Sequence, residues 1–556
     1  MNVKTIICAL LCVSVVSAAG FAAGQREAAQ TAAVQTSPPG TFPIVIGEPV
    51  TISGFVRGRH AVTDYQDNAF THFLEEEANV RLELQVSPYG QDTMQIVNVL
   101  LASGDYPDVF IGVGFTKAQQ LLYGQQGVFL ALNEMIEEFG VNTQKVLDQW
   151  PLVERNFTLP DGNIYALPDV NECFHCQTMQ KLWIYEPWLD ELGLEMPTTT
   201  QEFKDVMIAF RDRDPNRTGR QDQIPLAGAI SGWMVGIDGF FMNSFIYTDG
   251  NLADFGPSPR LFVDNGQVRA AYAASEWRDG LAYLNDLYEE GLILPDSFVQ
   301  DENQLMQLGE NPGPAILGAA PAGVSFIFTE LYGDSERWKE YVAVPALEGP
   351  GGVRYSRYFP TWGSPQWTIT DRAAYPEVAL RLGDMFYDEE VTLRNTYGIE
   401  GVHWRWAEPG EIGMNGKPAT HYAFEPDAGL GADEGRHFWN QAGPLNRTVD
   451  WHMGKPPSRP DDFELILYEE TFEKTHPYIP DDSMVLPPLS FDTDVAAEYT
   501  ELQTALQSYV DEMIVRFITG DADLNTQWNS YLSELDRIGL RRYLEITQRA
   551  YDASGF

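Results

Sequence analysis

One polar segment carries oxygen side chains at the spacing that a calcium ion requires. It reads DPNRTGRQDQ over residues 214–223; with Asp214 as position 1, oxygens fall at positions 1, 3, 5 and 9, and Gly219 is position 6. A calcium loop takes ligands at those positions, uses a backbone carbonyl at position 7 and needs glycine at position 6 for a sharp turn. The predicted metal ligands are Asp214, Asn216, Thr218, Arg220, Asp222 and Gln223.

The end of this loop departs from an ordinary EF-hand. Position 12, where a bidentate glutamate usually completes the calcium shell, is Pro225. A polar surface turn that follows a helix would have the same composition, so that alternative stays open. We predict a structural calcium ion, with the surface turn as the competing interpretation.

A second motif, CFHC at residues 173–176, holds two of the four cysteines, while the other two lie in an apolar N-terminal segment. In an oxidising compartment this spacing predicts a small-loop disulfide between Cys173 and Cys176. A redox-active site would need the pair at a helix N-terminus in a far smaller domain. Zinc would need more ligands than His175 adds. The disulfide is therefore the favoured interpretation.

Aromatic residues outside helical patterns form a third group with a chemical use. Ring faces match the flat C–H faces of sugars, while amides and carboxylates match sugar hydroxyls. In HWRW (403–406) the two tryptophans alternate and would share one face, beside Glu400 and Arg405. For each tryptophan, packing in a core is the alternative. The predicted ligand-binding residues are Arg59, His60, Phe115, Trp183, Trp233, Trp362, Trp404 and Trp406.

Catalytic motifs are missing from the sequence. Neither GxSxG nor HExxH occurs. The chain has 80 acidic residues, so carboxylate pairs arise by chance and do not indicate a glycosidase. His60, His403 and His437 are expected to be hydrogen-bonded structural groups. These observations predict a binding protein without enzymatic activity.

The elements that must position these residues alternate between strands and helices. Strands are predicted at 50–56, 80–86 and 108–112, and helices at 68–79 and 92–102. This order predicts βαβ units, and hence an α/β fold with a mainly parallel sheet covered by helices on both faces. Further helices are predicted at 196–212, 270–290, 377–390 and 496–552.

Ligands of such sheets bind in the crevice at the carboxyl ends of the strands. Arg59 and His60 follow the first strand, and Phe115 follows the glycine-rich end of the third. These positions are the reason for including the three residues in the predicted site. Gly104 is expected to end the preceding helix in the left-handed conformation.

Size and charge limit the class of protein. The chain has 556 residues, too many for one hydrophobic core, so two or three domain-sized units are expected. With 44% hydrophobic residues and a formal charge of −44, the protein is folded and strongly acidic. The charge argues against nucleic acid as a partner, and it disfavours polyanionic ligands and anionic membranes.

The N-terminus has the form of an export signal. Lys4 precedes the apolar run TIICALLCVSVVSA, and small residues follow, which predicts a signal peptide over 1–24 and a flexible tether over 25–43. The run is short for a membrane-spanning helix. A lipid anchor on Cys12 is the alternative, although Cys12 lies inside the apolar run. The predicted location is periplasmic or extracellular.

Several segments together resemble the extracellular solute-binding proteins of family 1. They include LLASGDYPDVFIG, DGNIYALP, YGIEGVHWRW, GLRRYLEITQRAYD and the block over 181–226. The chain is most similar to the long, cysteine-containing subgroup that serves carbohydrate ABC importers, which the alginate-binding periplasmic proteins resemble. Those relatives close their calcium loop with an acidic residue just after position 9. Gln223 stands there in this chain, and a neutral ligand would weaken the site.

The resemblance implies a two-lobed periplasmic-binding-protein fold of type II, with each lobe discontinuous in sequence. Lobe I is predicted over 44–170 and 320–390, and lobe II over 171–319 and 391–556. A monomer would capture an oligosaccharide between the lobes, close about a hinge and deliver it to an ABC permease. A secreted polysaccharide-active enzyme, or a sensor or peptide-binding module without a transport role, remains the alternative. The sequence leaves the identity and charge of the sugar open.

Overall fold

A computed structural model describes residues 34–59, 62–89, 92–249, 259–424, 435–491 and 495–556. The predicted signal peptide, the first part of the predicted tether and His60 lie outside the described residues.

The strands of the described chain are numbered in sequence order. They are β1 (Val50–Arg57), β2 (Val80–Ser87), β3 (Val109–Ile111), β4 (Leu167–Asn171), β5 (Lys181–Tyr185), β6 (Ile224–Leu226), β7 (Leu261–Asp264), β8 (Gln267–Ala270), β9 (Leu317–Ala322), β10 (Tyr341–Val344), β11 (Ser364–Ile369), β12 (Trp404–Trp406), β13 (His421–Ala423) and β14 (Asn446–Arg447).

The α-helices are numbered in the same way. They are α1 (Ala69–Ala78), α2 (Thr93–Ser103), α3 (Lys117–Gln125), α4 (Asn133–Phe139), α5 (Val141–Gln149), α6 (Pro151–Phe157), α7 (Phe174–Gln177), α8 (Glu186–Leu192), α9 (Thr200–Asp212), α10 (Ile237–Met242), α11 (Ser275–Glu289), α12 (Glu302–Gly309), α13 (Arg337–Glu340), α14 (Pro376–Met385), α15 (Glu389–Tyr397), α16 (Val449–Met453), α17 (Phe463–Glu470), α18 (Ala496–Thr519), α19 (Leu524–Ile538) and α20 (Leu540–Ser554).

Local sequence signals account for the ends of several helices. Thr199 accepts from the backbone of Glu202, whose side chain returns a bond to the Thr199 backbone, so α9 begins with a full capping box. Gly104 ends α2 with a φ of 73°, the left-handed conformation that glycine adopts without strain. This agrees with the conformation expected from the sequence.

The first sheet has six strands in the order β14-β4-β11-β3-β1-β2. β1 pairs in parallel with β2 and β3, which confirms the predicted βαβ order, while β11 inserts antiparallel between β3 and β4. Its core contains Ile52 and Ile111 on the strands and Leu74 on α1. The predicted α/β fold class is therefore correct.

The second sheet has four strands in the order β10-β5-β9-β6. The C-terminal helices α18, α19 and α20 share a core with it, in which Val510, Phe517 and Tyr543 pack with Leu182 and Ile184 of β5. Among the helices described here, none is both long enough and apolar enough to cross a membrane.

We call the six-stranded sheet and its helices lobe I, and the four-stranded sheet with α18–α20 lobe II. Three crossover segments join them, at 172–180, 345–363 and 448–462. The lobe ranges differ from the predicted ones in two places. β9 and β10, partly or wholly within the predicted lobe I range, pair with β5 in lobe II, and β14, within the predicted lobe II range, pairs with β4 in lobe I.

The reason for both differences is the weak local pattern of these strands. β9 reads LGAAPA and β14 has two residues, so neither shows the alternation that assigns a strand to a sheet from sequence.

Candidate functional site

A cleft of about 720 Å³ lies between the lobes. Lobe I contributes the residues that follow β3, the end of α6 and the end of β4. The loop after β6 and the loop before α18 contribute from lobe II. The residues lining it are Phe115, Thr116, Lys117, Gln120, Asn156, Phe157, Leu159, Asp169, Asn171, Cys173, Cys176, Gln177, Met179, Trp233, Phe359, Pro360, Thr361, Trp362, Gly363, Ser364, Pro365 and Pro488.

The first two crossover segments form one wall of the cleft. The backbone N–H of Phe359 in the second segment donates to the carbonyl of Gln177 in the first, at 2.8 Å. The Gln177 side chain reaches Thr361 Oγ1 at 3.5 Å. The segments that connect the lobes are thus hydrogen-bonded to each other where they face the cleft.

Aromatic rings supply much of the surface. Phe359 is 42% exposed and Trp362 is 9% exposed. Trp233 packs over Gly323, where an added Cβ would collide with the indole ring, so glycine is required for this ring position. Phe115 lies deeper, against Phe129 with ring centroids 4.8 Å apart.

Two buried polar atoms of the cleft residues have no partner within the described chain. Asn156 donates from Nδ2 to the carbonyl of Trp362 at 2.8 Å, which leaves Oδ1 unpaired. The indole Nε1 of Trp233 is likewise unpaired. Buried polar groups are normally hydrogen-bonded, so an unpaired acceptor and an unpaired donor at one cleft are typical of a surface that a polar ligand completes.

Both charged side chains that line the described cleft are hydrogen-bonded to neighbours. Both oxygens of Asp169 lie 3.2 Å from Nη2 of Arg447. Burial raises the pKa of Asp169, and the nearby Arg447 and Arg59 oppose that rise. Lys117 donates from Nζ to the carbonyl of Pro488 at 2.9 Å, and burial lowers its pKa to about 8. The lysine therefore spans from lobe I to the loop before α18.

The predicted disulfide is confirmed, between Cys173 and Cys176 at the first turn of α7. Within the described residues, the two sulfurs and the imidazole of His175 lie close enough together to be considered as ligands of one metal ion. A zinc site does not fit, because the two sulfurs are bonded to each other. Beneath the turn, the fully buried Lys181 donates to the carbonyls of His175 and Thr178 at 3.3 and 3.0 Å.

Burial lowers the pKa of Lys181 to about 7, although the charge of Glu470 opposes this. Burial and the nearby lysine also lower the pKa of His175 to about 3, so this imidazole is neutral at physiological pH. The lysine thus fastens the disulfide turn to β5 at the back of the cleft.

The structure brings only part of the predicted ligand-binding set together. Phe115, Trp233 and Trp362 line the cleft. Arg59 is half-buried and does not line the cleft; burial lowers its pKa, and the nearby charge of Asp169 opposes this. Its backbone N–H donates to the hydroxyl of Tyr65. It is a supporting residue and not a lining one.

The other three predicted tryptophans lie elsewhere. Trp183 is fully buried in lobe II, where its Nε1 donates to the carbonyl of Ala322 at 3.1 Å. Trp404 is fully buried as well, and its Nε1 donates to the carbonyl of Gly398 at 2.9 Å. Trp406 is 40% exposed, but it packs against Trp404 and does not line the cleft. Trp183 and Trp404 are core residues, the alternative that the sequence left open, whereas Trp406 is exposed outside the cleft.

Sequence reasoning missed several lining residues. Phe359 lies in FPTWGSP (359–365), a run of aromatic, proline and glycine residues whose loop character was visible. Asn156 lies on α6 among buried residues, and Gln177 follows the disulfide. Neither amide has a pattern in the sequence that marks it.

The six predicted calcium ligands lie together in one loop between α9 and β6, and none of them lines the cleft. Oxygens of Asp214, Asn216 and Arg220 converge there. The atom on which they converge is Nε2 of Gln223. An amide nitrogen is a donor and not a metal ligand, so the arrangement does not fit a bound calcium ion.

Several known proteins are similar to this chain in sequence or in fold. No protein-family model matches the chain. The fructooligosaccharide ABC transporter substrate-binding protein FusA of Streptococcus pneumoniae is 27% identical over 494 residues, which cover 86% of this chain and 86% of FusA. The structure of FusA with kestose has a TM-score of 0.70 at 24% identity, covering 90% of this chain and 99% of that one. An EF-hand mutant of FusA has been solved with fructo-nystose.

Two other solved structures share the architecture. An extracellular solute-binding protein of Bifidobacterium longum subsp. infantis has a TM-score of 0.75 at 20% identity, covering 91% of this chain and 99% of that one. The alginate-binding protein AlgQ2 without calcium has a TM-score of 0.63 at 21% identity, covering 92% and 100%. The chain is therefore similar over most of its length to an ABC-transporter substrate-binding protein and shares the fold of several solute-binding proteins, in line with the resemblance stated from the sequence.

Proposed function

We propose that this protein captures an oligosaccharide in the interlobe cleft and delivers it to the membrane permease of an ABC importer. The observation that carries the proposal is the cleft itself: aromatic residues from both lobes and the crossover segments line it, and two of its lining residues carry a buried polar atom without a partner in the described chain. The sequence similarity to FusA, which extends over 86% of the chain, supports a carbohydrate as the solute.

Each group in the cleft has a role in this proposal. Trp233, Trp362 and Phe359 stack on the C–H faces of sugar rings. Oδ1 of Asn156 accepts from a sugar hydroxyl, and Nε1 of Trp233 donates to one. Both atoms gain a partner that they lack in the described chain. Each new hydrogen bond offsets the free-energy cost of a buried polar atom without a partner.

The proposed ligand is uncharged. Asp169 is already paired with Arg447, and Lys117 is bound to a backbone carbonyl and has a lowered pKa. Lys117 is the one cationic side chain among the described lining residues, so a polymer with a carboxylate on every sugar would leave most of its charges unpaired in the cleft. This distinguishes the proposed ligand from a uronate polymer such as alginate.

Closure follows from the location of the cleft. A ligand that contacts both lobes binds the closed state more tightly than the open one and shifts the population toward it. The three crossover segments act as the hinge. The protein works as a monomer, reaches the outside of the cytoplasm by its N-terminal signal peptide, and meets its permease there.

The test is a thermal-shift and calorimetric screen with the mature chain. Kestose and fructo-nystose, the sugars bound in the FusA structures, are the first probes, followed by other neutral oligosaccharides and by oligouronates. We expect saturable binding of a neutral oligosaccharide that Trp233→Ala abolishes. Preferential binding of uronates would contradict the proposed ligand class. New reducing ends in the same mixtures would indicate an enzyme.

A further inference from the structure

The loop between α9 and β6 has the backbone of a cation site. Asp214 and Arg217 adopt left-handed φ values of 49° and 53°, and Gly219 follows with 69°. The N–H of Thr218 donates to Asp214 Oδ1 at 3.1 Å, and the N–H of Gly219 donates to Oδ2 at 2.9 Å. The loop therefore winds around the first carboxylate, as a calcium loop winds around its ion.

The side-chain nitrogen of Gln223 lies where the oxygens of positions 1, 3 and 7 converge. Its Nε2 is 3.0 Å from Asp214 Oδ1, 2.7 Å from Asn216 Oδ1 and 3.1 Å from the carbonyl of Arg220. The amide has two N–H donors, so one of the three contacts is shared. These distances are those of hydrogen bonds.

The remaining polar groups of the loop are satisfied by one another. Asn216 donates from Nδ2 to Asp222 at 3.0 Å and to the carbonyl of Ala315 at 3.1 Å, which ties the loop to the segment before β9. Thr218 donates from Oγ1 to Asp222 at 3.0 Å. The second carboxylate of the loop thus has two donors without an ion.

We infer that the Gln223 side-chain amide takes the place of the cation in this loop, so that the α9–β6 connection folds without calcium. The neighbouring positions explain why an amide suffices. Position 12 is Pro225 and supplies no carboxylate, so the oxygens of Asp214, Asn216 and Arg220 are the ones to be paired at this point, and all three lie within hydrogen-bond distance of the amide nitrogen. A calcium ion would have to expel the amide nitrogen from all three oxygens.

The unmodified protein should be indifferent to calcium. The melting temperature of the mature chain should be the same in EDTA and in 1 mM CaCl₂, apart from general salt effects that MgCl₂ reproduces. Isothermal titration calorimetry should detect no heat of calcium binding to the unmodified chain. This measurement needs no variant, so it stays informative whatever happens to mutant folding.

A gain of function then tests the geometry. Gln223→Glu restores an oxygen and a charge among converging oxygens, so it should create a calcium site. At calcium a hundredfold above its Kd, the variant should melt about 2–3 °C above its EDTA value. Gln527→Glu is the matched control, because Gln527 is exposed on α19, far along the chain from the loop. It should respond to calcium as the unmodified chain does.

Two outcomes would overturn the inference. One is a rise in the melting temperature of the unmodified chain in calcium that magnesium does not reproduce. The other is a folded Gln223→Glu protein that gains no calcium response, which would show that the loop oxygens are not arranged for a cation. Both are independent of sugar binding, so the proposed transport function stands or falls separately.

Discussion

Asn156 of α6 donates from Nδ2 to the carbonyl oxygen of Trp362 at 2.8 Å, and its buried Oδ1 has no partner within the described chain. One side chain therefore holds an aromatic residue of the second crossover segment and offers an acceptor beside it. Ring and acceptor are placed together, as recognition of a sugar requires.

Asn156→Ala should weaken oligosaccharide binding because it removes both the acceptor and the support of Trp362. We expect a loss of about tenfold in affinity, or ~1.4 kcal/mol, measured by calorimetry with the sugar found in the screen. Asn303→Ala, at an exposed position of α12, is the control. Equal affinities of the two variants would remove Asn156 from the site.

Trp233→Phe separates the ring from its donor. Phenylalanine keeps a stacking face but lacks Nε1, so affinity should fall by about fivefold to tenfold, whereas Trp233→Ala should lose far more. Trp406→Ala serves as the comparison, because Trp406 is exposed on β12 outside the cleft. A Trp406→Ala protein that bound sugar as weakly as Trp233→Ala would place the site on the hairpin instead.

The disulfide should influence affinity more than overall stability. It fixes the turn that presents Gln177, whose carbonyl accepts from Phe359. Replacing Cys173 and Cys176 by serine should weaken binding by about threefold to tenfold. A reducing agent should produce the same change in the unmodified chain and none in the variant. An effect of the reductant on the variant would show that it acts elsewhere.

Lys181 should make the free energy of unfolding rise with pH above neutrality. Its pKa is about 7 when folded, against an ordinary value of 10.5. Below pH 7 both states bind the proton; above pH 7 the folded protein releases it while the unfolded chain keeps it, so stability increases up to about pH 10. The slope from this group is at most about 1.4 kcal/mol per pH unit.

Urea unfolding at pH 6, 7, 8 and 9 checks this slope. Lys181→Met keeps most of the side-chain volume and should flatten the dependence between pH 7 and 9. An identical slope in the unmodified chain and in Lys181→Met would mean that Lys181 does not titrate in this range.

The sequence predicts the parts of the fold that local signals encode. The capping box of α9 and the parallel pairing of β1 with β2 and β3 agree with the structure, because Thr199, Glu202 and the alternating strands act on their near neighbours. β9 and β14 carry no such signal. Their positions in the sheets depend on pairing with β5 and β4, which are distant in sequence.

The candidate site shows the same limit. The alternation of Trp404 and Trp406 predicts that they share a face, and their ring centroids are indeed 5.3 Å apart. The two-residue alternation of a strand does not determine whether the shared face contacts a ligand or packs in a core. In the structure, Trp404 is fully buried. Asn156 could not be found, because its role comes from the approach of Trp362 from 206 residues along the chain.

The wall built by the first two crossover segments has a mechanical consequence. The backbone that must bend when one lobe rotates is the same backbone that faces the cleft, joined by the bond between Phe359 and Gln177. Any change in the angle between the lobes therefore changes the shape of the ligand-binding surface. The residues that would contact a ligand are therefore the same residues that connect the lobes.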